Sequence, residues 1–338
     1  MEKIIVKSVL DHCRINDILS GHQHGFLSGK STLTQLLTCL NDWTKCVDTG
    51  DGVDIIYLDF AKAFDSVPHG KLLYKLQRLG FSDPLLGWIK DYLSDRSQRV
   101  IVERTVSSWL PVTSGVPQGS VLGPILFLLY INDIINVARN DVSIRLYADD
   151  AKLYVRKVGL LAAVQLDDCL NAVYSWASDW QLTLALHKCT VLHVGRVGPE
   201  GKHVYSVGNS VLPEVSEMRD LGIIITSKLK PGKHCREISN GAKSVSWLIL
   251  RSFYSRAACF LLRLFATYAR PKLEFNSVVW LDIDKIESVQ RFLHGTFLAF
   301  EAFRILIAWL RLKLIHWSCA GFTLTSMKSS GSYTVCLH

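Results

Sequence analysis

Three acids open the question of chemistry. Asp59 closes the apolar run VDIIYLDF (53–60), and Asp149 and Asp150 stand side by side in SIRLYADDAKLYV. An acid at the end of a buried strand needs a partner, because an unpaired buried charge is costly. Two adjacent carboxylates in a tight turn repel unless a cation lies between them. If the two strands are neighbours, the three carboxylates converge, and hard oxygen ligands of this kind suit Mg²⁺. Two such ions about 3.5–4 Å apart can activate a 3′-hydroxyl and stabilise a departing pyrophosphate. That is nucleotidyl transfer, in which catalysis is mostly positioning and charge stabilisation. The other reading is a set of solvated turn acids, since Asp is common in turns. The residue types alone leave both standing.

The elements that must carry these acids are legible from periodicity. VDIIYLDF reads as a buried strand. SIRLYADDAKLYV alternates on both sides of ADD and reads as a hairpin with the acids at its tip. STLTQLLTCLNDW reads as a helix capped by Ser31 or Thr32, with Leu33, Leu36, Leu37 and Leu40 along one face. PHGKLLYKLQRLG is a helix with Pro68 in its first turn and Gly80 as its stop, and DPLLGWIKDYLSD is another. QRVIVER and SSWLPVT pair as the two strands of a hairpin. SGVPQGS is a turn cluster before a buried apolar helix. LAAVQLDDCLNAVYSWASDW is helical, CTVLHVG is a strand, and HVYSVGNSVLP with RDLGIIIT forms a small sheet. From about residue 233 the pattern is helical. Strands early and helices late indicate an α+β body followed by an all-helical domain.

Composition narrows the class. The chain has 338 residues, about half of them hydrophobic, and a net charge of +8. It can build two or three real cores, is not a disordered chain, and tolerates a polyanionic partner. Its 9 cysteines are scattered singly. That excludes a C-x-x-C zinc site or a disulfide framework and, with no signal peptide, suggests an intracellular setting. VLGPILFLLYI is too short to span a bilayer, which takes ~20 apolar residues. FLAFEAFRILIAWLRLKLIHW is interrupted by Glu301, Arg304, Arg311 and Lys313, which are expensive in hydrocarbon. GFLSGKST (25–32) looks like a phosphate-binding loop, but only three residues separate Gly25 from Gly29. A P-loop needs four, and it follows a buried strand.

Taken in order, QHGFLSGKSTLTQLL, IIYLDFAKAFDSVPHGKLLYKLQRLG, TSGVPQGSVLGPILFLLYINDI and IRLYADDAKLY closely resemble the reverse transcriptases of non-LTR (LINE-type) retrotransposons. WQLTLALHKCTVLHVG, RDLGIIIT, LFATYARPKLEFNSVVW and IESVQR extend the resemblance to about residue 294. It implies an α+β right-hand polymerase: partial fingers and palm over 1–200, a small β connection over 201–232, a helical thumb over 233–295 and a divergent tail over 296–338. It implies an RNA-directed DNA polymerase with an RNA template, a DNA primer, dNTPs and two Mg²⁺ ions, Mn²⁺ substituting.

Carried over residue by residue, the resemblance makes Asp59 and Asp149 ligands of both metals, with Asp150 less direct and the Phe60 backbone beside the triphosphate. Ala63 and Phe64 fall in the nucleotide site, Phe64 as the ring that excludes a ribose 2′-hydroxyl. Pro117, Gln118 and Gly119 fall beside the incoming nucleotide. Lys188 falls near the leaving pyrophosphate as a general acid, although the family's usual Asn three residues earlier is Ala185 here. Lys30, Arg96, Arg99 and Tyr147 fall on the nucleic acid in the first half, and Lys243 and Arg251 in the thumb. Each has an ordinary alternative: Phe64 as core packing, the basic residues as solvated surface. Two departures bear on activity. MEKII resembles the end of an early motif, so the expectation is an N-terminally truncated domain. The tail after about 295 does not resemble the family, which suggests a frameshift or splice. An inactive nucleic-acid-binding relic is therefore the alternative, and a nuclear location is expected only of a working retrotransposon enzyme.

Overall fold

The computed structural model of the protein describes residues 1–138, 141–196, 201–255, 257–280, 324–329 and 332–337. By chain contacts it divides into Met1–Leu229 and Lys230–His338.

The first unit opens with α1 (Glu2–Ile15), α2 (Thr32–Asp48) and β1 (Gly52–Leu58). Then come α3 (His69–Arg78), α4 (Leu85–Leu93) and four two-residue strands, β2 (Ser97–Gln98), β3 (Ile101–Val102), β4 (Thr105–Val106) and β5 (Leu110–Pro111). α5 (Gly123–Ile131) runs into a 3₁₀ helix, Asn132–Val137, and β6 (Ser143–Tyr147), β7 (Asp150–Lys157), α6 (Gly159–Asp179) and β8 (Thr190–Val194) follow. β9 (Ser206–Val207), β10 (Ser210–Val211), β11 (Glu214–Val215), β12 (Glu217–Asp220) and β13 (Ile223–Thr226) complete it. The main sheet has the order β11-β8-β1-β7-β6, antiparallel except for the parallel β11–β8 pair.

One face of this sheet is the core. Ile56 and Leu58 of β1 face the same side as Leu153 and Ala151, their partners on β7. They pack in one apolar cluster with Leu72 and Leu76 of α3, Leu166, Leu170 and Val173 of α6, and nearly all of α5. Each fully buried Leu here contributes about 1.5–3 kcal/mol. α5 is apolar on every side because it is buried on every side. Lys75 ties α3 in. Its ammonium lies 3.7 Å from the Trp180 ring centroid and donates to the Tyr130 carbonyl at 2.6 Å. Burial lowers its pKa to about 8, against the opposing pull of Asp133.

The other face carries Tyr57, Lys152 and Tyr154. α2 covers part of it: Trp43 meets Tyr154 edge-on at 5.7 Å, and the Tyr154 hydroxyl donates to Asp42 at 2.6 Å. Lys152 and Asp220 form an ion pair with side chains 2% and 4% exposed, which fastens the β12–β13 hairpin to the sheet. Back on the core face, in line with Ile56 and Leu58, Asp54 accepts from Tyr205 at 2.6 Å and contacts His193 at 2.7 Å. Burial alone would raise the Asp54 pKa, but these two bonds outweigh it and the carboxyl sits below its ordinary value.

Several sequence expectations need correction. The buried stripe of α2 is Leu36, Cys39 and Trp43 with Gln35, not a row of four leucines. Ser31 caps that helix in a reciprocal box with Thr34, and Pro68 is the N-cap of α3 rather than part of its first turn. The expected QRVIVER/SSWLPVT hairpin turns earlier, at Glu103–Arg104: β3 pairs with β4 inside the β2–β5 pair. HVYSVGNSVLP and RDLGIIIT do not share one sheet: β9–β10 and β12–β13 are separate pairs, and β11 joins the main sheet.

The second unit contains α7 (Gly232–Ser252), α8 (Ala258–Tyr268), α9 (Arg270–Glu274) and α10 (Ser277–Trp280), with Ala242, Phe265, Ala269 and Leu273 in its core. β14 (Leu324–Ser329) and β15 (Ser332–Leu337) pair antiparallel. The segments DIDKIESVQRFLHG and FLAFEAFRILIAWLRLKLIHW, and most of the divergent tail, lie outside the described residues. No described helix is long and apolar enough to cross a membrane.

Breaking a buried pair strands its partner. Asp220→Ala should therefore destabilise the first unit by about 3–5 kcal/mol in urea denaturation, while the Lys152→Met/Asp220→Leu double variant should cost much less.

Candidate active site

The strand pairing brings the acids to one end of the sheet. β1 and β7 run in register to the pair Leu58–Ala151. One residue further, Asp59 stands alongside Asp150, both on the face of Tyr57 and Lys152. Tyr147 pairs with Asp150, so Ala148 and Asp149 form a two-residue hairpin turn. Asp149 is half-buried and Asp150 exposed. Surrounding protein still desolvates both carboxyls and raises them, Asp150 to about 6, with Asp149 and Asp220 as the next contributors. The Asp59 charge pushes both the same way. The three acids are therefore electrostatic neighbours, as their positions in sequence suggest. They are not a preassembled cage: among the described residues no group of three potential ligands is gathered closely enough to hold a metal ion.

Asp59 has a cationic partner. The Lys188 ammonium lies 3.3 Å from its carboxylate, the side chains being 56% and 40% exposed. The segment before β8 brings Lys188 there by running antiparallel to 59–61: Ala185 N–H donates to the Asp59 carbonyl at 2.8 Å, and Ala61 N–H to Thr183 at 2.8 Å. The contact at Ala185 is made by backbone, which any side chain but Pro allows. Phe60 bridges Leu184, with both of these bonds supplied by its flanking residues. Its own carbonyl therefore turns to the opposite edge, the side of the Asp149 turn.

SGVPQGS is laid against the residues that follow Asp59. Val116 N–H donates to the Phe64 carbonyl at 2.8 Å, Gly115 N–H to Val67 at 2.8 Å, and the Gln118 amide to Asp65 at 2.7 Å. Pro117 is half-buried, Gln118 and Gly119 are exposed, and Gly119 has φ +79. Phe64 stacks on Phe127 at 4.4 Å and meets Phe26 edge-on at 6.3 Å. Phe60 and Ala63 are buried. The turn that carries Pro117, Gln118 and Gly119 is thus hydrogen-bonded to the segment that carries Phe64.

The basic residues are dispersed. Lys30 donates to the Gly21 carbonyl at 3.0 Å. Arg96 lies over Tyr92 at 5.3 Å, and Arg99 over Trp109 at 4.5 Å in the β2–β5 hairpin. That hairpin also exposes Val100, Ile101, Val102 and Leu110. Tyr147 is half-buried at the base of the acidic turn. Lys243 and Arg251 are on α7 in the second unit, Arg251 over Trp247 at 5.2 Å.

Three contributors escape a reading by motif. Glu2 accepts from the backbone N–H of Val121 at 2.7 Å and of Leu122 at 3.3 Å, and so anchors the approach to α5. Gln23 is wholly buried against the acidic turn. Asp220 lies far along the chain from Lys152. Only Lys152 left a signal: a lysine inside the apolar stretch ADDAKLYV demands a buried partner.

With this geometry in view, residues 1–248 match the family described as reverse transcriptase (RNA-dependent DNA polymerase). The chain belongs to that family. This reverse transcriptase domain is 31% identical over 261 residues to the RNA-directed DNA polymerase from mobile element jockey of Drosophila melanogaster, covering 74% of this chain and 28% of that protein. It is 29% identical to the probable RNA-directed DNA polymerase from transposon BS of the same organism, covering 74% and 29%. The X-element enzyme of that organism is 28% identical, over 70% and 26%. These are non-LTR retrotransposon enzymes, and the chain spans little more than a quarter of their length. Among solved structures, Candida albicans telomerase in complex with a fragment of telomeric RNA superposes with a TM-score of 0.50 at 12% identity, covering 89% of this chain and 55% of that one. Apo telomerase of Candida tropicalis gives 0.50 at 12% identity, covering 87% and 54%. The fold is that of a reverse transcriptase.

The raised Asp150 carboxyl has a sign that can be tested. Its folded pKa of about 6 exceeds the ordinary 3.8, so ionisation destabilises the metal-free protein as pH rises through that interval. Asp150→Asn should raise the melting temperature in EDTA above about pH 6. The gain should shrink as pH falls below that value, measured by calorimetry at pH 8 and pH 5.

Proposed function

We propose that this chain is an RNA-directed DNA polymerase that extends a DNA primer 3′-hydroxyl along an RNA template with dNTPs. The observation that carries the reading is the register of β1 and β7, which sets Asp59 beside the Asp149–Asp150 turn. Asp149 and Asp150, both raised by desolvation and by their acidic neighbours, are short of a cation, and an all-oxygen donor set suits Mg²⁺, with Mn²⁺ as substitute. Asp59 and Asp149 would hold two ions, with Asp150 and the Phe60 carbonyl beside them. Such ions, when bound, supply activation of the 3′-hydroxyl and neutralisation of the triphosphate charge.

The chain's own residues do the rest. The wall of Ala63, Phe64, Pro117, Gln118 and Gly119 seats the nucleotide: Gln118 offers a donor and an acceptor, and Gly119 allows close backbone approach. Phe64 is held in place by Phe127, which suits a ring that must exclude a 2′-hydroxyl. Lys188, released from Asp59, carries a proton at Nζ toward the leaving pyrophosphate. Lys30, Arg96, Arg99 and Tyr147 meet template and primer, largely through phosphates and therefore with salt sensitivity. In this reading residues 1–200 belong to fingers and palm and 201–232 to the β connection. Residues 233–295 form a thumb in which Lys243 and Arg251 follow the duplex.

Primer extension on an RNA template tests the reading. Asp149→Ala should lower kcat by at least about 10²–10³-fold, the scale of one preorganised charge-stabilising group. Extension untouched by that change sinks the proposal. A well-folded natural chain that binds primer–template but never extends it favours the relic instead. Phe64→Ala should lower the preference for dNTPs over rNTPs by about 10–200-fold, the range a hydrophobic contact supplies, measured as the ratio of kcat/KM values.

A further inference from the structure

The turn that carries Asp149 is not built to hold itself. Ala148 has φ +54, at the first central position of a two-residue hairpin turn, where hairpins favour Gly. A methyl-bearing residue resists that conformation, so something else must hold it. The flanking ladder stops at Tyr147 and Asp150. The support comes from a segment far away in sequence, QHG at 23–25.

That segment adds itself to the free edge of β6. Leu146 N–H donates to the His22 carbonyl at 3.0 Å, and His24 N–H donates to the Leu146 carbonyl at 2.8 Å. Between them the Gln23 side chain, 0% exposed, turns in under the hairpin. Its Oε1 accepts from Ala148 N–H at 2.9 Å and from Gly25 N–H at 2.7 Å. Its amide nitrogen faces the Ala148 carbonyl at 3.5 Å. Both backbone polar groups of the left-handed residue are thus addressed by one side chain. Gly25 is pressed so close that a Cβ there would lie 2.5 Å from Ala148 N, which leaves no room for any other residue.

We propose that Gln23 is a positioning residue: its carboxamide holds the Ala148–Asp149 turn and so sets where the two adjacent carboxylates point. The proposal rests on the reading of Asp149 and Asp150 as metal-holding acids. Gln23 carries no charge and touches no carboxylate among its hydrogen-bond partners. It therefore acts on the acids through backbone alone. Its loss takes the partner from three backbone groups, Ala148 N–H, Gly25 N–H and the Ala148 carbonyl, and frees Ala148 to fall back to negative φ, which swings the Asp149 carboxylate away from Asp59.

Mn²⁺ binding to the full chain, read from the electron paramagnetic resonance signal of the free ion, tests this alongside primer extension. Gln23→Met keeps length and volume and removes the acceptor. It should weaken Mn²⁺ binding by about tenfold, as loss of a group that orients metal ligands does. kcat should fall with it, while primer–template affinity and the far-UV spectrum stay those of the natural chain. Adding Ala148→Gly should recover most of the Mn²⁺ affinity, because Gly accepts positive φ without help. A merely structural role predicts no such recovery. Should Gln23→Met fail to fold, Gln23→Asn keeps the amide but is too short to reach Ala148, and the same results are expected of it. Mn²⁺ affinity unchanged by the loss of Gln23, or a loss that Ala148→Gly leaves untouched, overturns the clasp. Asp149→Ala separates the two ideas: Mn²⁺ binding that survives it overturns the reading of the acids. Binding lost with Asp149→Ala but unmoved by Gln23→Met overturns the clasp alone.

Discussion

Ending the two central strands of a buried sheet in carboxylates sets two costs against each other. The strands gain their stability from apolar burial on the face of Ile56, Leu58, Ala151 and Leu153, while Asp59 and Asp150 stand on the opposite face and the surrounding protein desolvates Asp149 and Asp150. Desolvation and repulsion from neighbouring acids then push the Asp149 and Asp150 carboxyls upward, Asp150 to about 6. A sheet with these acids neutralised would be more comfortable, so the strain belongs to what the site does rather than to how it folds. The surrounding elements make sense as devices that keep the acids where repulsion would not leave them.

These devices act on backbone more than on the acids themselves. Residues 59–61 are pinned by 183–185, so Asp59 cannot retreat by fraying of β1. SGVPQGS is hydrogen-bonded onto 64–67, which extends the pinned stretch beyond Asp59. On the β6 edge, residues 22–25 do the same for the hairpin. The anchor beneath is different in kind. Lys152 and Asp220 are both almost wholly buried, so neither can be exchanged for water, and the β12–β13 hairpin is fixed to the strand that begins at Asp150.

The sequence showed the strands, the acidic hairpin and the long helices because each is governed by a short-range rule: period 2, period 3.6, a cap or a turn. The register that puts Asp59 beside Asp150 follows from two such strands being neighbours, and the motif order pointed there. What stayed hidden was long-range. Gln23 looks like any polar loop residue until it is found under Ala148, 125 positions away. Asp220 looks like a turn acid until Lys152 meets it. The small strands were misassigned for a related reason. With two residues each, β2 to β5 and β9 to β11 carry too little pattern to announce a register, and only tertiary contact decides their partners. The early turn at Glu103–Arg104 places a charged pair, not a glycine, at the tip, which is why QRVIVER read as one uninterrupted strand.

The two lysines near the acids complete the electrostatic argument. Lys152 and Lys188 each hold an aspartate, yet they are suited to opposite tasks. The Lys152 pair is desolvated, so separating it would leave buried charges without compensation, and it stays. The Lys188–Asp59 pair is about half exposed on each side at 3.3 Å, and pairs of that kind are worth little, because water and salt compete for both partners. Asp59 is thus neutralised by a cation it can give up at small cost. In the proposed reading, a divalent ion at the same carboxylate would have only to outcompete that weak contact, and Lys188 would then be available to an anion. The fixed pair holds the β12–β13 hairpin to β7; the exchangeable pair leaves Asp59 open to another cation.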